Sequence, residues 1–276
     1  VISYNGEIYN HRELRQELDK KCDIKWRSSG DTETLVELIN FWGLKATLKK
    51  IHGMFAIAVW DSHHKTLHLT RDRMGEKPLY YGWINGVWGF SSELKGLKKI
   101  PKFNSEIDRK ALAQYVRFGY VPAPLSIYKN IFKVEPGTIV SLKSSQESLK
   151  IDSYWSTIDI MVEGSQNRFL GSDIDAVKKL ESILSNVVSS HMLSDVPLGA
   201  FLSGGIDSSL ICALMQTQSD TQIDTCSIGF ENKKFNEAEH ARAVADHLGT
   251  NHFDMYVTGD DALGVIPLLP EIYDEP

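Results

Sequence analysis

The sequence predicts two domains of different fold class: an α+β domain, and then an α/β domain built on a doubly wound parallel sheet. The first half places two amphipathic helices before a series of short strands on tight turns, whereas the second half alternates strands with helices. The 276 residues are enough for two hydrophobic cores of ordinary size. A polar, glycine-containing stretch lies between the halves. We therefore expect domains at 1–156 and 173–276, joined by a linker at 157–172.

Composition and charge exclude several classes of protein. Hydrophobic residues make up 42% of the chain and charged residues 24%, as in a globular protein. A net charge of −6 argues against nucleic acid or an anionic membrane surface as the main partner. No stretch approaches the roughly 18 apolar residues of a membrane span. Three cysteines without C-x-x-C spacing predict a cytoplasmic protein without disulfides.

The first domain is expected to begin with a strand at 1–4, followed by two helices. Asn5-Gly6 after this strand favours a hairpin turn. Asn10 can cap the first helix, while Asp31 can cap the second and Gly43 can end it. Strands are then expected at 53–60, 66–70, 79–84 and 87–91. The sequence assigns no role to the charged connection RDRMGEKP at 71–78.

The rest of the chain continues these patterns. A helix at 108–117 and strands at 127–134 and 139–142 complete the first domain. The second domain opens with a helix at 173–193 that gathers apolar residues on one face, namely Ile174, Val177, Leu180, Leu184 and Val187. Strands are expected at 196–202, 223–230 and 250–257, with helices at 208–215 and 235–248. Such alternation implies parallel strands, and ligands bind at the carboxyl ends of parallel strands.

The most informative stretch, VPLGAFLSGGIDSS at 196–209, joins the first of these strands to the next helix. Gly204 and Gly205 allow positive φ and a close approach of the backbone to a ligand. Backbone N–H groups, the helix N-terminus and three serine hydroxyls would then converge on an anion such as pyrophosphate. A plain strand–turn–helix with a Gly-Gly turn and a serine cap is the structural alternative.

The pattern S-G-G-x-D-S resembles the PP-loop of the ATP pyrophosphatases, which have an adenine nucleotide α-hydrolase-like fold. The resemblance implies that ATP is a substrate and that Asp207 helps to hold Mg²⁺ on the pyrophosphate. Backbone contacts to adenine are implied at Leu202 and Ile228. The ATP-binding residues carried over in this way are Leu202, Ser203, Gly204, Gly205, Asp207, Ser208, Ser209, Ile228 and Gly229.

A second resemblance covers the first half. The segments NGEIYNHRELR, SGDTE, GMFAIAVWD, RDRMGEKPLYY and FSSELKGL, in this order, resemble the glutaminase domain of class II amidotransferases. More narrowly, they are similar to the glutamine-hydrolysing asparagine synthetases, as is FNEAEHARAVADHLGTNH in the second half. The family's glutaminase domain has the N-terminal-nucleophile fold, an αββα sandwich with two β-sheets packed between helices.

This resemblance implies roles for four residues of the first domain. The Asn5 side-chain amide and the Gly6 backbone N–H would form an oxyanion hole for amide hydrolysis. Glu7 would contact the bound glutamine, and Asp31 would bind its α-amino group. The family's nucleophile, an N-terminal cysteine whose α-amine acts as the base, has no counterpart here. We expect the chain to be part of a longer protein and to be inactive alone.

The implied reaction is ATP-dependent amidation of aspartate with ammonia from glutamine, through a β-aspartyl-AMP intermediate. Three alternatives remain beside it. The same two-domain plan could amidate another carboxylate, such as a sugar acid, or the chain could be a non-catalytic remnant. A stand-alone PP-loop thiolase is disfavoured by the acidic charge and by the first domain. Asp274 and Glu275 are expected to help shape the acceptor region. The oligomeric state is not readable, and a homodimer is compatible with the sequence.

Overall fold

The computed structural model describes residues 1–143, 149–194, 196–232 and 236–275. The chain divides into two compact units, the first being Val1–Asn167 with Pro270–Pro276, and the second Arg168–Leu269. The boundary between the units falls within the segment 157–172 that was predicted as a linker, but Thr157–Gln166 of this segment is a helix. The Ser156 hydroxyl caps this helix by accepting a hydrogen bond from the backbone N–H of Asp159.

The first unit contains eight strands and six helices within its described part of 1–167. Their order and bounds are β1 (Ile2–Ile8), α1 (His11–Asp19), α2 (Asp31–Trp42), α3 (Leu44–Lys50), β2 (Gly53–Asp61), β3 (Thr66–Arg71), β4 (Tyr80–Ile84), β5 (Val87–Ser91), α4 (Leu94–Leu97), α5 (Arg109–Phe118), β6 (Ile131–Lys133), β7 (Thr138–Lys143), β8 (Leu149–Ser153) and α6 (Thr157–Gln166).

The strands of this unit form two antiparallel sheets in a layered sandwich. One sheet has the order β1-β2-β3-β7-β8 and the other β5-β4-β6. Phe55 and Ile57 of β2 pack into a core with helices α1 and α2, while the alternating Ala56 and Ala58 face a core shared with the second sheet. A third core joins the second sheet to α4 and α5. The layers are therefore helices, sheet, sheet, helices, and the apolar segment GMFAIAVW is covered on both faces as predicted.

Asn5-Gly6 does not form the predicted hairpin turn. Strand β1 continues through both residues, and Gly6 pairs with Phe55 of β2 at a φ of 155°. A Cβ atom on Gly6 would lie 2.1 Å from the carbonyl oxygen of Met54. The glycine thus serves the close approach of two strands instead of a reversal of the chain.

The predicted cap of α2 is wrong, and the predicted cap of α1, Asn10, holds the N-cap position without a capping hydrogen bond from its side chain. Gly30 holds the N-cap position of α2, and Asp31 is the first helical residue. At the start of α1, the Asn10 side chain donates to the Lys50 carbonyl and accepts from the His52 N–H. The side chains of Asp31 and Asn10 instead bond to residues that are distant in sequence, and the spacing of residues does not reveal such contacts.

The charged connection 71–78 is organised around the carboxylate of Asp72, which is 1% exposed. This carboxylate accepts hydrogen bonds from four backbone N–H groups, those of Phe55, Met74, Glu76 and Lys77. The Arg71 guanidinium donates to the Lys77 carbonyl within the connection and to the Val134 carbonyl after β6. Backbone amides of β2 and of the connection therefore converge on one buried charge.

The second unit carries a parallel sheet with the order β11-β10-β9. Its elements are α7 (Asp173–His191), β9 (Gly199–Phe201), α8 (Ile206–Thr217), β10 (Asp224–Phe230), α9 (Ala238–Leu248), β11 (Asn251–Val257), α10 (Gly259–Val265) and a 3-10 turn (Ile266–Leu268). The short helix α11 (Leu269–Ile272) follows and belongs to the first unit from Pro270 onward. The start predicted for α9, Phe235, lies outside the described residues. No helix among the described residues is long and apolar enough to span a membrane.

Helices α8 and α9 pack together on one face of this sheet, where their small and apolar side chains meet those of the strands. The opposite face is exposed in the described part of the unit, with Phe253 at 54% and Met255 at 68%. The doubly wound arrangement is therefore not complete among the described residues. The predicted inward face of α7 is likewise exposed, with Ile174 at 67%, whereas Val188 near its end is buried.

Candidate functional site

Strand β1 is the edge strand of its sheet, and the direction of its backbone groups defines the first candidate site. The backbone N–H and C=O of Phe55 bond to Asp72, so they point away from β1. Gly6 lies opposite Phe55, and the two residues form a non-hydrogen-bonded pair of the antiparallel ladder. The Gly6 N–H therefore points away from β2. This amide lies at the open edge of the sheet, where a bound oxyanion could accept from it.

Asp31 lies along the same edge. Its Oδ2 atom accepts a hydrogen bond from the Ile8 N–H at 3.0 Å and from the Tyr4 hydroxyl at 2.6 Å. The N–H groups of Ile8 and Gly6 share one side of β1 and are two residues apart, or about 7 Å. Burial and the Asp31 hydrogen bond raise the pKa of the Tyr4 hydroxyl, which stays protonated and keeps donating. The edge thus places a carboxylate and an amide donor a short distance apart.

Asn5 and Glu7 project from β1 at alternate positions, and both side chains are exposed. The Asn5 amide donates to the Ser92 hydroxyl at 3.1 Å, beside a cleft of about 490 Å³ that is also lined by Phe90 and Glu93. Burial, followed by the negative charges of Glu76 and Glu7, raises the pKa of Tyr9 to about 12. The structure therefore gathers the four predicted residues around one strand, with Gly6 and Asp31 at its edge.

The second candidate site is the loop after β9. Gly205 is the N-cap of α8, and Asp207 lies in its first turn. The hydroxyls of Ser203 and Ser208 lie 2.9 Å apart, and the Ser203 hydroxyl accepts from the Gly205 N–H at 3.4 Å. The Ser209 hydroxyl oxygen is buried and has no hydrogen-bond partner among the described residues. Serine hydroxyls and the N-terminus of a helix therefore lie together in this loop.

Gly204 explains why this loop needs a glycine at its centre. Its φ is 75°, which side chains rarely adopt, and an added Cβ would lie 2.8 Å from the Ala241 backbone nitrogen and from the His240 Cβ. The loop consequently packs directly on the first turn of α9. Loop and helix are positioned together.

A cavity of about 350 Å³ opens next to the loop, lined by Leu202, Ser203, Ser208 and Ile228 among others. The Cys226 carbonyl accepts from the Leu202 N–H at 2.8 Å, so the backbone groups of Cys226 point toward β9. Those of Ile228, two residues on, point the same way. Because β9 ends at Phe201, the Ile228 N–H and C=O face the cavity, where a flat heterocycle could use them.

Not every predicted ATP contact lines this cavity. Gly229 lies against β11, where an added Cβ would be 2.7 Å from the Tyr256 ring. Glu237, just before α9, lines the cavity but was missed, because its segment was interpreted as the start of an ordinary amphipathic helix. An acidic residue next to a strand end was the only available signal.

The loop offers one carboxylate for a metal ion, that of Asp207. Among the described residues there is no group of three or more His, Cys, Asp or Glu side chains that could hold a metal by themselves. Mg²⁺ commonly binds through one or two carboxylates together with substrate phosphates and water. The exposed Asp207 at a phosphate-accepting loop fits that mode, in which most ligands come with the nucleotide.

Residues 1–155 match the family model described as glutamine amidotransferase domain, and the chain belongs to this family. Residues 179–276 match a second model, described as asparagine synthase. The two matches follow each other in the order that the sequence resemblance predicted.

Curated relatives match along the entire chain. A Methanocaldococcus jannaschii protein, provisionally named glutamine-hydrolysing asparagine synthetase 2, is 36% identical over 100% of this chain and 52% of its own. Glutamine-hydrolysing asparagine synthetase 1 of Bacillus subtilis is 34% identical, and the match covers 100% of this chain and 42% of the relative. The human glutamine-hydrolysing asparagine synthetase is 26% identical, and the match covers 99% of this chain and 47% of the relative. The chain therefore spans about half the length of the curated relatives it matches.

One solved structure adds a weaker likeness. A glutamine phosphoribosylpyrophosphate amidotransferase of B. subtilis, complexed with ADP and GMP, aligns with 94% of this chain and 45% of its own. The identity is 17% and the TM-score is 0.39, a likeness too weak to identify a fold.

Proposed function

We propose that this protein converts L-aspartate to L-asparagine, using ATP and ammonia released from glutamine. The observation that carries the proposal is the presence, in one chain, of the glutamine amidotransferase match followed by the asparagine synthase match. The relatives that match the entire chain are named for this reaction. Acting in sequence, the two sites would release ammonia in the first domain and consume it in the second.

In the first half-reaction, we assign the oxyanion hole to the Gly6 N–H and the Asn5 side-chain amide. Donors fixed in advance stabilise the charge that develops on the amide oxygen. The Asp31 carboxylate would bind the α-ammonium group of glutamine, with Glu7 contacting the substrate from the same strand.

In the second half-reaction, a carboxylate must be converted into a better electrophile. We assign ATP to the cavity beside the loop, with phosphates on Ser203, Ser208 and Ser209 and adenine against the backbone of Leu202 and Ile228. The aspartate carboxylate attacks the α-phosphorus, pyrophosphate leaves, and ammonia then displaces AMP to give asparagine. Mg²⁺ held by Asp207 would neutralise the charge of the leaving pyrophosphate.

The test uses the complete protein and follows pyrophosphate release from ATP with ammonia as the nitrogen source. L-aspartate is compared with no acceptor and with uronic-acid sugars. Release that requires aspartate, accompanied by asparagine, is the expected result. Release only with a sugar acid would mean that the acceptor is a sugar acid and that the reaction type is unchanged. No release with any acceptor would favour a non-catalytic remnant.

Two further properties belong to the proposal. The three cysteines are free, which suits a reducing compartment, and we propose a cytoplasmic location. A homodimer stays a prediction, which sedimentation of the complete protein over a range of concentrations would test.

A further inference from the structure

The cavity beside the loop has one charged side chain in its lining, that of Glu237. Glu237 occupies the N-cap position of α9 and is exposed. Among the described residues, its carboxylate makes no hydrogen bond or ion pair. A carboxylate without a protein partner in a cavity wall is available to accept hydrogen bonds from a ligand.

The backbone that carries this carboxylate lies next to the loop. Gly204 packs against the backbone of Ala241 and the Cβ of His240, in the first turn of α9. Glu237 also accepts the Ala241 N–H through its own carbonyl, at 3.0 Å. The first turn of α9 is therefore packed on the loop, which places the backbone of Glu237 near the groups assigned to the phosphates.

The chemistry of ATP limits what this carboxylate can bind. A carboxylate accepts hydrogen bonds and repels phosphates, so it must face donors of the nucleotide. At neutral pH these donors are the adenine amino group and the two ribose hydroxyls. The amino group can bond to backbone carbonyls at the strand ends, where Ile228 faces the cavity. The ribose lies between adenine and phosphates, and its hydroxyls remain.

We propose that Glu237 binds the ribose hydroxyls of ATP and makes the site selective for ribonucleotides. The inference rests on the proposed assignment of ATP to this cavity. An acidic side chain serves the same purpose in dinucleotide-binding folds, where it accepts from the ribose 2′-hydroxyl. Here it would come from the helix after the second strand of the sheet.

The test measures equilibrium binding of ATP, 2′-deoxy-ATP and 3′-deoxy-ATP to the complete protein with Mg²⁺ and without acceptor. The wild-type protein should bind at least one deoxynucleotide about tenfold or more weakly than ATP, as expected for a lost hydrogen bond to a charged group. In Glu237→Ala this preference should shrink to about twofold, because ATP affinity falls and deoxynucleotide affinity does not. Glu237→Gln should keep part of it.

Glu239→Ala is the matched control, since Glu239 is exposed on the same helix and does not line the cavity. It should retain the full preference for ATP. An unchanged preference in Glu237→Ala, or equal binding of all three nucleotides by the wild-type protein, would overturn the inference and leave the proposed function standing. Absence of any nucleotide binding by the wild-type protein would overturn both.

Discussion

The carboxylate of Asp72 shows how much one buried charge can organise. Four backbone N–H groups donate to it, one from β2 and three from the connection 71–78. The two oxygens of a carboxylate offer enough acceptor positions for four donors. In an asparagine side chain, an NH₂ group that can only donate replaces one of these oxygens.

We expect Asp72→Asn to lower the free energy of unfolding of the first unit by about 3 kcal/mol, because buried donors lose their acceptor. All six tryptophans lie between residues 26 and 155, so their fluorescence during urea unfolding reports on this unit. Asp23→Asn, at an exposed position of the same unit, is the control and should change the midpoint much less. Equal effects of the two substitutions would show that burial of the charge is not the cause.

The role of Asp72 could not be predicted from the sequence. RDRMGEKP is locally indistinguishable from a solvated charged loop, since the burial of a carboxylate depends on amides brought together by the fold. The same holds for Asn10, whose side chain bonds to backbone groups about forty residues away.

At the scale of elements, the contact between the loop and α9 is the most sensitive to substitution. Gly204→Ala would force a Cβ to within 2.8 Å of backbone and side-chain atoms and would strain a φ of 75°. We expect a loss of ATP affinity of about tenfold or more, because the loop must move away from α9.

Gly264→Ala is the control for this prediction, because it lies in α10 and an added Cβ would meet no atom within 4 Å. Titration of each variant with ATP and Mg²⁺ gives the comparison. Retention of wild-type affinity by Gly204→Ala would mean that the loop has room that the structure does not show.

The type and order of most elements were predictable, because apolar periodicity and glycine positions mark helices and strands directly. The loop hydroxyls and the helix that follows them were predictable for the same reason. Asn5-Gly6 was not, since the local turn preference of this pair is overridden by pairing with β2. The apolar stripe of α7 predicted a buried face, but among the described residues it remains largely exposed.

At the scale of the molecule, the segment Pro270–Pro276 belongs to the first unit although it follows the second in sequence. The Asp274 carboxylate accepts from the backbone N–H groups of Leu94 and Lys95, and Glu275 accepts from that of Ile127. Glu275 also pairs with the Lys133 ammonium at 2.5 Å, and both side chains are at most 15% exposed. These contacts are part of the first unit, whereas the sequence suggested an acceptor region.

We expect Glu275→Gln to lower the free energy of unfolding of the first unit by about 3 kcal/mol, because Lys133 would be left nearly buried without its partner. Tryptophan fluorescence in urea measures the change. Glu271→Gln removes an exposed carboxylate from the same segment and should have little effect. An unchanged midpoint in Glu275→Gln would show that the segment does not stabilise this unit.

The first unit should also lose stability in mild acid. Burial lowers the pKa of His11, His52 and His68 in the folded state. The unfolded chain therefore binds more protons than the folded one below the ordinary histidine pKa of about 6.5. This contribution to stability is fully present above that pH and is lost as the pH falls toward the folded values.

The urea midpoint should accordingly be lower at pH 5.5 than at pH 7.5, and His68→Gln should reduce the difference. His68 bonds to the Ser141 hydroxyl at 2.8 Å, which glutamine can partly replace. A midpoint that rises in acid would contradict the prediction.

The two hydrogen bonds between Asp72 and the backbone of Phe55 have a consequence for the chemistry proposed at the sheet edge. Both backbone groups of Phe55 are bound by Asp72, and Phe55 is the register partner of Gly6. The strand segment opposite the amide that would meet a developing oxyanion is thus held by a buried charge. Such a dipole needs no reorganisation when the oxyanion forms, which is how electrostatic preorganisation lowers a barrier. A residue without direct access to the substrate would then contribute to the rate through the stiffness of the backbone that it holds.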